Sequence, residues 1–96
     1  MKAYAVISSG RFASRPALQA FLNQHERVAY WYACLPSCVF AFTDMSAHDL
    51  AKDLEARFGL GPGRRFLVTE LSTNRQGRLP RELWEMLRDP SKVQSE

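Results

Sequence analysis

The sequence predicts an α+β fold, an antiparallel four-stranded sheet with two helices on one face and a short helix after it. Three observations predict this. Apolar runs suited to strands alternate with stripes of helical spacing in the order β-α-β-β-α-β, then a third helix. A tight turn at Leu35-Pro36-Ser37 joins the two middle strands. The first and third apolar runs are the most uniform, as strands at the centre of a sheet should be.

Residues 2–8 form a nearly unbroken apolar run with Tyr4, Val6 and Ile7, a strand buried on both faces. Ser14 then offers an N-cap, with Arg15 and Pro16 opening the turn. Ala17, Leu18, Phe21, Leu22 and His25 share one stripe, so a helix spans 15–25. Residues 27–35 (RVAYWYACL) read as the second strand and 38–43 (CVFAFT) as the third. Ser46 and Asp49 resemble a capping box with Asp in place of Glu. Ala47, Leu50, Ala51, Leu54 and Phe58 make the second helical stripe, and Gly59 ends it. Residues 64–71 (RRFLVTEL) read as the fourth strand. Pro80 starts a short helix with Leu83, Trp84 and Leu87, and Asp89-Pro90 stops it. This order is the ferredoxin-like arrangement, with a core at 1–71, a loop and short helix at 72–90, and a fraying tail at 91–96.

With 46% hydrophobic and 24% charged residues in 96, the chain has a globular composition, which excludes a disordered or collagen-like chain. No apolar run reaches the roughly 18 residues that cross a bilayer, so no membrane partner is expected. Two cysteines and no export signal point to the cytoplasm. Ten of the thirteen cations are arginine, the residue suited to bidentate phosphate contacts, and the net charge is +3. Arg11, Arg64, Arg65, Arg75, Arg78 and Arg81 are the candidates for contact with DNA or RNA. The competing reading is a solvated surface in which arginines pair with Glu82, Glu85 and Asp89.

Alternation along the strands makes both sheet faces apolar. Cys38, Phe40 and Phe42 oppose Val39 and Ala41, and Val28, Tyr30 and Tyr32 oppose Ala29, Trp31 and Ala33. Two helices cover one face, so the expectation is a homodimer, sheet against sheet, using Tyr30, Trp31, Tyr32, Phe40, Phe42 and Trp84. The alternative is that the third helix, of about nine residues, folds back over that face.

Other chemistry-bearing residues have plain readings beside the functional ones. Asp44 and Asp49 sit at a helix start, where capping and the helix dipole account for carboxylates. His25 and His48 have no carboxylate partner that spacing can certify. Cys34 and Cys38 bracket the turn and either pack as small apolar residues or oxidise across the hairpin. No second pair completes a zinc site. The glycines of residues 59–63 lack the Lys-Ser/Thr of a phosphate-binding loop. Tyr30, Trp31 and Tyr32 could stack bases, but the third strand lacks the basic-Gly-aromatic opening of an RNA-recognition motif.

One ordered series goes further. Trp31-Tyr32 is followed by Leu35-Pro36-Ser37-Cys38-Val39, Thr43-Asp44-Met45-Ser46-Ala47 and Phe66-Leu67-Val68-Thr69-Glu70-Leu71, and ends in Gly77-Arg78-Leu79-Pro80-Arg81-Glu82-Leu83-Trp84. Over residues 2–88 it resembles the SinR-like and virulence-associated protein D-like superfamily, related to the small CRISPR-associated adaptation subunit. The resemblance implies a ferredoxin-like fold, a symmetric dimer, and either metal-dependent cleavage of nucleic acid or scaffolding. In that family an aspartate ends the first strand, and two such carboxylates can hold a divalent cation. Here the stretch is Ile7-Ser8-Ser9-Gly10, so Ser8 and Ser9 mark the position without a carboxylate.

The expectation is therefore a dimeric, non-catalytic protein without a cofactor that binds nucleic acid or scaffolds. The alternatives are a divergent Mg²⁺-dependent endonuclease using Asp44 and a protein-interaction module with a protein partner only.

Overall fold

A computed structural model describes residues 1–73 and 75–90. The tail expected to fray, 91–96, lies outside the described residues. The elements are β1 (Lys2–Ser8), α1 (Arg15–Gln24), β2 (Val28–Leu35), β3 (Cys38–Thr43), α2 (Ala47–Phe58), β4 (Phe66–Glu70) and α3 (Arg81–Arg88). The sheet order is β2-β3-β1-β4. Every neighbouring pair is antiparallel, so the architecture is α+β with a four-stranded antiparallel sheet and three described helices. The apolar β1 and β3 hold the two central places, and all six residues of β3 are buried.

Local chemistry sets the helix ends. The Ser14 hydroxyl accepts from the Ala17 N–H at 3.2 Å and starts α1. The Ser46 hydroxyl does the same for Asp49 at 3.1 Å and starts α2. Gly59 ends α2 at φ +85°, in the left-handed region that a side chain would strain. Five boundaries differ from expectation by one or two residues. His25 is the C-cap of α1, Arg27 precedes β2, Arg64 and Arg65 precede β4, Leu71 follows it, and Pro80 precedes α3 as its N-cap residue.

The core has two layers. On one face Tyr4, Val6, Val39 and Ala41 pack under Leu18 and Leu22 of α1 and Leu50 and Leu54 of α2. The Tyr4 hydroxyl there donates to the Met45 carbonyl at 2.7 Å, so its buried oxygen is satisfied. On the other face Ala3, Ala5, Cys38, Phe40 and Phe42 pack under Leu83 and Leu87 of α3, with Leu79 and Trp84 beside them.

That second layer corrects the expectation of a bare face. Phe40 and Phe42 were expected to meet a second copy, yet they are 5% and 0% exposed within one chain. The small Ala3 and Ala5 of β1 leave room at the centre of this face, and a two-turn helix fills it. Isolated, so short a helix would be marginal; packing of Leu83 and Leu87 holds it in place. The remaining dimer residues also divide. Trp31 packs with the first layer and Tyr32 with the second. A bulge between Val28 and Tyr30 shifts the register, so Val28 joins Trp31 and Ala33 rather than Tyr30 and Tyr32. Among the described residues no helix is long and apolar enough to cross a membrane.

Candidate nucleic-acid interface

The antiparallel registers bring four strand ends together. Ile7 pairs with Cys38 and Leu35 with Cys38, while Ser8 pairs with Phe66. One end of the sheet therefore carries the loop 9–14, the hairpin turn 36–37 and the loop 59–65. These loops and the adjoining helix ends hold Arg11, Arg15, Arg57, Arg64 and Arg65, all exposed. No Asp or Glu occurs between residues 9 and 25 or between 56 and 69. The arginines thus form a cationic end with no carboxylate in either segment to neutralise it.

The loops are anchored from below. Phe12 stacks on Phe66 with centroids 4.3 Å apart and tilts against Phe58 at 5.4 Å. Ser9 ties one loop to the other. Its hydroxyl donates to the Gly63 carbonyl at 2.8 Å and accepts from the Arg65 N–H at 3.2 Å, while its own N–H donates to the Arg65 carbonyl at 2.8 Å. The Arg11 side chain lies across Gly63, where an added Cβ would meet its Cδ at 2.8 Å. Arg64 Nη1 donates to the Phe58 carbonyl at 2.8 Å and closes the end of α2. Arg15 Nη1 donates to the Leu35 carbonyl at 3.3 Å.

Ser8 and Ser9, which mark the family's metal position, are committed to this framework. The Ser8 hydroxyl is buried and donates to the Ala13 carbonyl at 3.0 Å. With arginines around them and no carboxylate, these residues do not fit a divalent cation, which needs anionic oxygen ligands. Asp44 follows β3 at the opposite end of the sheet, exposed and 3.7 Å from Arg27 Nη2. Asp44 and Ser8-Ser9 therefore do not share a site within one chain. Among the described residues no three His, Cys, Asp or Glu side chains converge as a metal-binding group.

The six candidate arginines separate into three places. Arg11, Arg64 and Arg65 come together in the cationic end. Arg75 and Arg78 line a cleft of about 280 Å³ against the second sheet face. Arg81 points into solvent on α3 and lies 3.5 Å from Glu85, one helical turn on. Arg15 and Arg57 join the cationic end although sequence reading passed over them. The signal was available in the topology: Arg15 opens a helix and Arg57 closes one at the loops that hold the others.

Other candidates resolve into packing. His25 Nε2 lies 2.8 Å from Asp53 Oδ2, and its Nδ1 accepts from the Arg27 N–H at 3.1 Å. This bond joins the end of α1 to α2, a partner 28 residues away that spacing could not reveal. Cys34 and Cys38 are both free thiols; burial pushes the Cys38 thiol up, and the nearby Cys34 adds to it. A groove of about 530 Å³ runs beside the outer edge of β2, lined by residues 22–26 and 28–33. Trp31 Nε1 donates across it to Asn23 Oδ1 at 3.3 Å. Comparison with protein-family models, with curated proteins and with solved structures returned no match.

Proposed function

We propose that this chain is a non-catalytic nucleic-acid-binding protein of ferredoxin-like architecture, which holds phosphates on its arginine end. The strand order with β1 and β3 central, and two helices between strands on one face, supports the architecture. One observation carries the function: Arg11, far from Arg64 and Arg65 in sequence, comes to one end with them and with Arg15 and Arg57, without a carboxylate in their loops. Guanidinium groups on loops braced by Ser9 and the Phe12–Phe66 stack suit a polyanion contacted through its backbone.

Fluorescence anisotropy with labelled DNA and RNA oligonucleotides tests this. Wild type should bind at low salt, and the Arg11→Ala, Arg64→Ala, Arg65→Ala triple variant should bind far more weakly. Arg81→Ala, whose side chain lies apart, should bind as wild type. Absence of binding at low salt, or equal binding by the triple variant, refutes the reading.

A homodimer belongs to the proposal only through what α3 leaves uncovered. Ile7 and Leu67 face each other across β1 and β4 and are 41% and 55% exposed. A second copy would add this pair to the exposed Leu35 at the same end of the sheet. Sedimentation equilibrium at micromolar concentration separates an 11.0 kDa species from its double. Incubation of labelled RNA and DNA with Mg²⁺ tests the endonuclease alternative, which requires cleavage that Asp44→Ala abolishes. A pull-down after nuclease treatment tests the protein-interaction alternative.

A further inference from the structure

The cleft against the second sheet face offers a different chemistry from the arginine end. Its floor is apolar, with Leu35, Phe40 and Leu87, and Trp84 forms one wall. Arg75 and Arg78 stand at its side, in the residues just before α3. The Arg75 guanidinium lies 5.9 Å from the centroid of the Trp84 ring. Its Nη1 donates to the Ser72 carbonyl, while its Nε is buried with no hydrogen-bond partner among the described residues.

Size and charge select the occupant. At about 280 Å³ the cleft falls below the range of roughly 300–1,000 Å³ that holds drug-sized ligands, and it suits a single small ring system. An apolar floor, an indole wall and two guanidinium groups match a flat body that carries an anion. Leu35 links this cleft to the cationic end, since its side chain lines the cleft and its carbonyl accepts from Arg15. We infer that the cleft receives one unpaired base of a single-stranded nucleic acid, with its phosphate against Arg75 and Arg78 and the neighbouring phosphates continuing onto the arginine end. The inference rests on the phosphate-binding reading above and adds strand state to it. Bases stacked within a duplex are not free to enter a cleft, and an unstacked base beside an aromatic wall is.

Trp84 is one of two tryptophans, so Trp31→Phe leaves it as the sole indole reporter. AMP titrated into that protein should quench Trp84 fluorescence saturably. Arg75→Gln with Arg78→Gln should weaken AMP at least about tenfold, as loss of charge-assisted contacts does. A single-stranded oligonucleotide should bind about tenfold tighter than its duplex, and the Arg75→Gln, Arg78→Gln protein should lose that difference. Quenching by AMP that persists in the Arg11→Ala, Arg64→Ala, Arg65→Ala protein supports the cleft independently of the arginine end. Salt-dependent binding that does not distinguish single strand from duplex overturns the cleft inference and leaves the phosphate reading standing. No saturable quenching by AMP up to about 10 mM, far weaker than a site worth roughly 4 kcal/mol, also overturns it.

Discussion

Tyr32 on β2 donates its hydroxyl to Glu82 Oε1 on α3 at 2.7 Å, a contact between residues fifty apart in sequence. It fastens the third helix to the sheet at the rim of the second layer. The bond to Glu82 and then desolvation push the Tyr32 phenol up to about 12 from 10.0. The folded phenol keeps its proton to higher pH than the unfolded one. Its contribution to stability is therefore present below pH 10 and lost as pH rises to about 12. Burial also raises the Tyr4 phenol, so the Tyr32 transition is identified in the ultraviolet titration as the one that Glu82→Gln moves back towards 10. A Tyr32 midpoint unchanged by Glu82→Gln contradicts the contact.

Leu83 is fully buried where α3 meets Phe40 and Phe42. Leu83→Ala should cost about 2–5 kcal/mol by the usual cavity and transfer terms. Leu67→Ala, at an exposed site on the same face, should stay within about 0.5 kcal/mol of wild type. Urea unfolding monitored by circular dichroism compares them. Equal midpoints for the two variants would mean that α3 does not close this face.

Ser9→Ala removes the hydroxyl that joins the Gly63 carbonyl to the Arg65 N–H. The expected loss is about 1–3 kcal/mol, because both partners lose their bond to it. Oligonucleotide affinity should fall as well, although Ser9 carries no charge. Preserved affinity in a protein of reduced stability would show that the arginines need no brace.

Of the two thiols, Cys34 is half-buried and Cys38 buried, and the raised Cys38 thiol holds its proton more firmly. The thiolate is the reactive form, so Cys34 should react first with a disulfide reagent near neutral pH. Mass spectrometry of the partly labelled protein identifies the site. Faster labelling of Cys38 contradicts its burial.

Strand and helix positions were legible because local rules govern them: apolar alternation for β3, the Ser14 and Ser46 caps, and Gly59 after the second helical stripe. The two register shifts in β2 were not legible, since nothing between Val28 and Tyr30 or between Tyr32 and Leu35 announces them, and Val28 changes face as a result. The fate of the second face turned on a quantity that pattern reading lacks. A third helix of about nine residues is short for covering a sheet, but Ala3 and Ala5 make the centre of the face shallow enough for it. The candidate site was half legible. Arginine content pointed to phosphate, whereas grouping Arg11 with Arg64 and Arg65 required knowing that Ser8 pairs with Phe66. The cleft of Arg75 and Trp84 depends on how residues 75–80 lie against the face, which no local rule specifies.

The salt dependence of oligonucleotide binding tests the central claim most directly. Each neutralised phosphate contributes a slope of about −0.7 to log K against log salt for a single strand. The five exposed arginines at the cationic end predict a contribution of about −2 to −3.5 to the wild-type slope, depending on how many engage at once, and a phosphate held at the cleft would add about −0.7. Arg11→Ala, Arg64→Ala and Arg65→Ala together should bring the slope about 2 closer to zero. A slope near zero in wild type, or one unchanged by the three substitutions, contradicts the account.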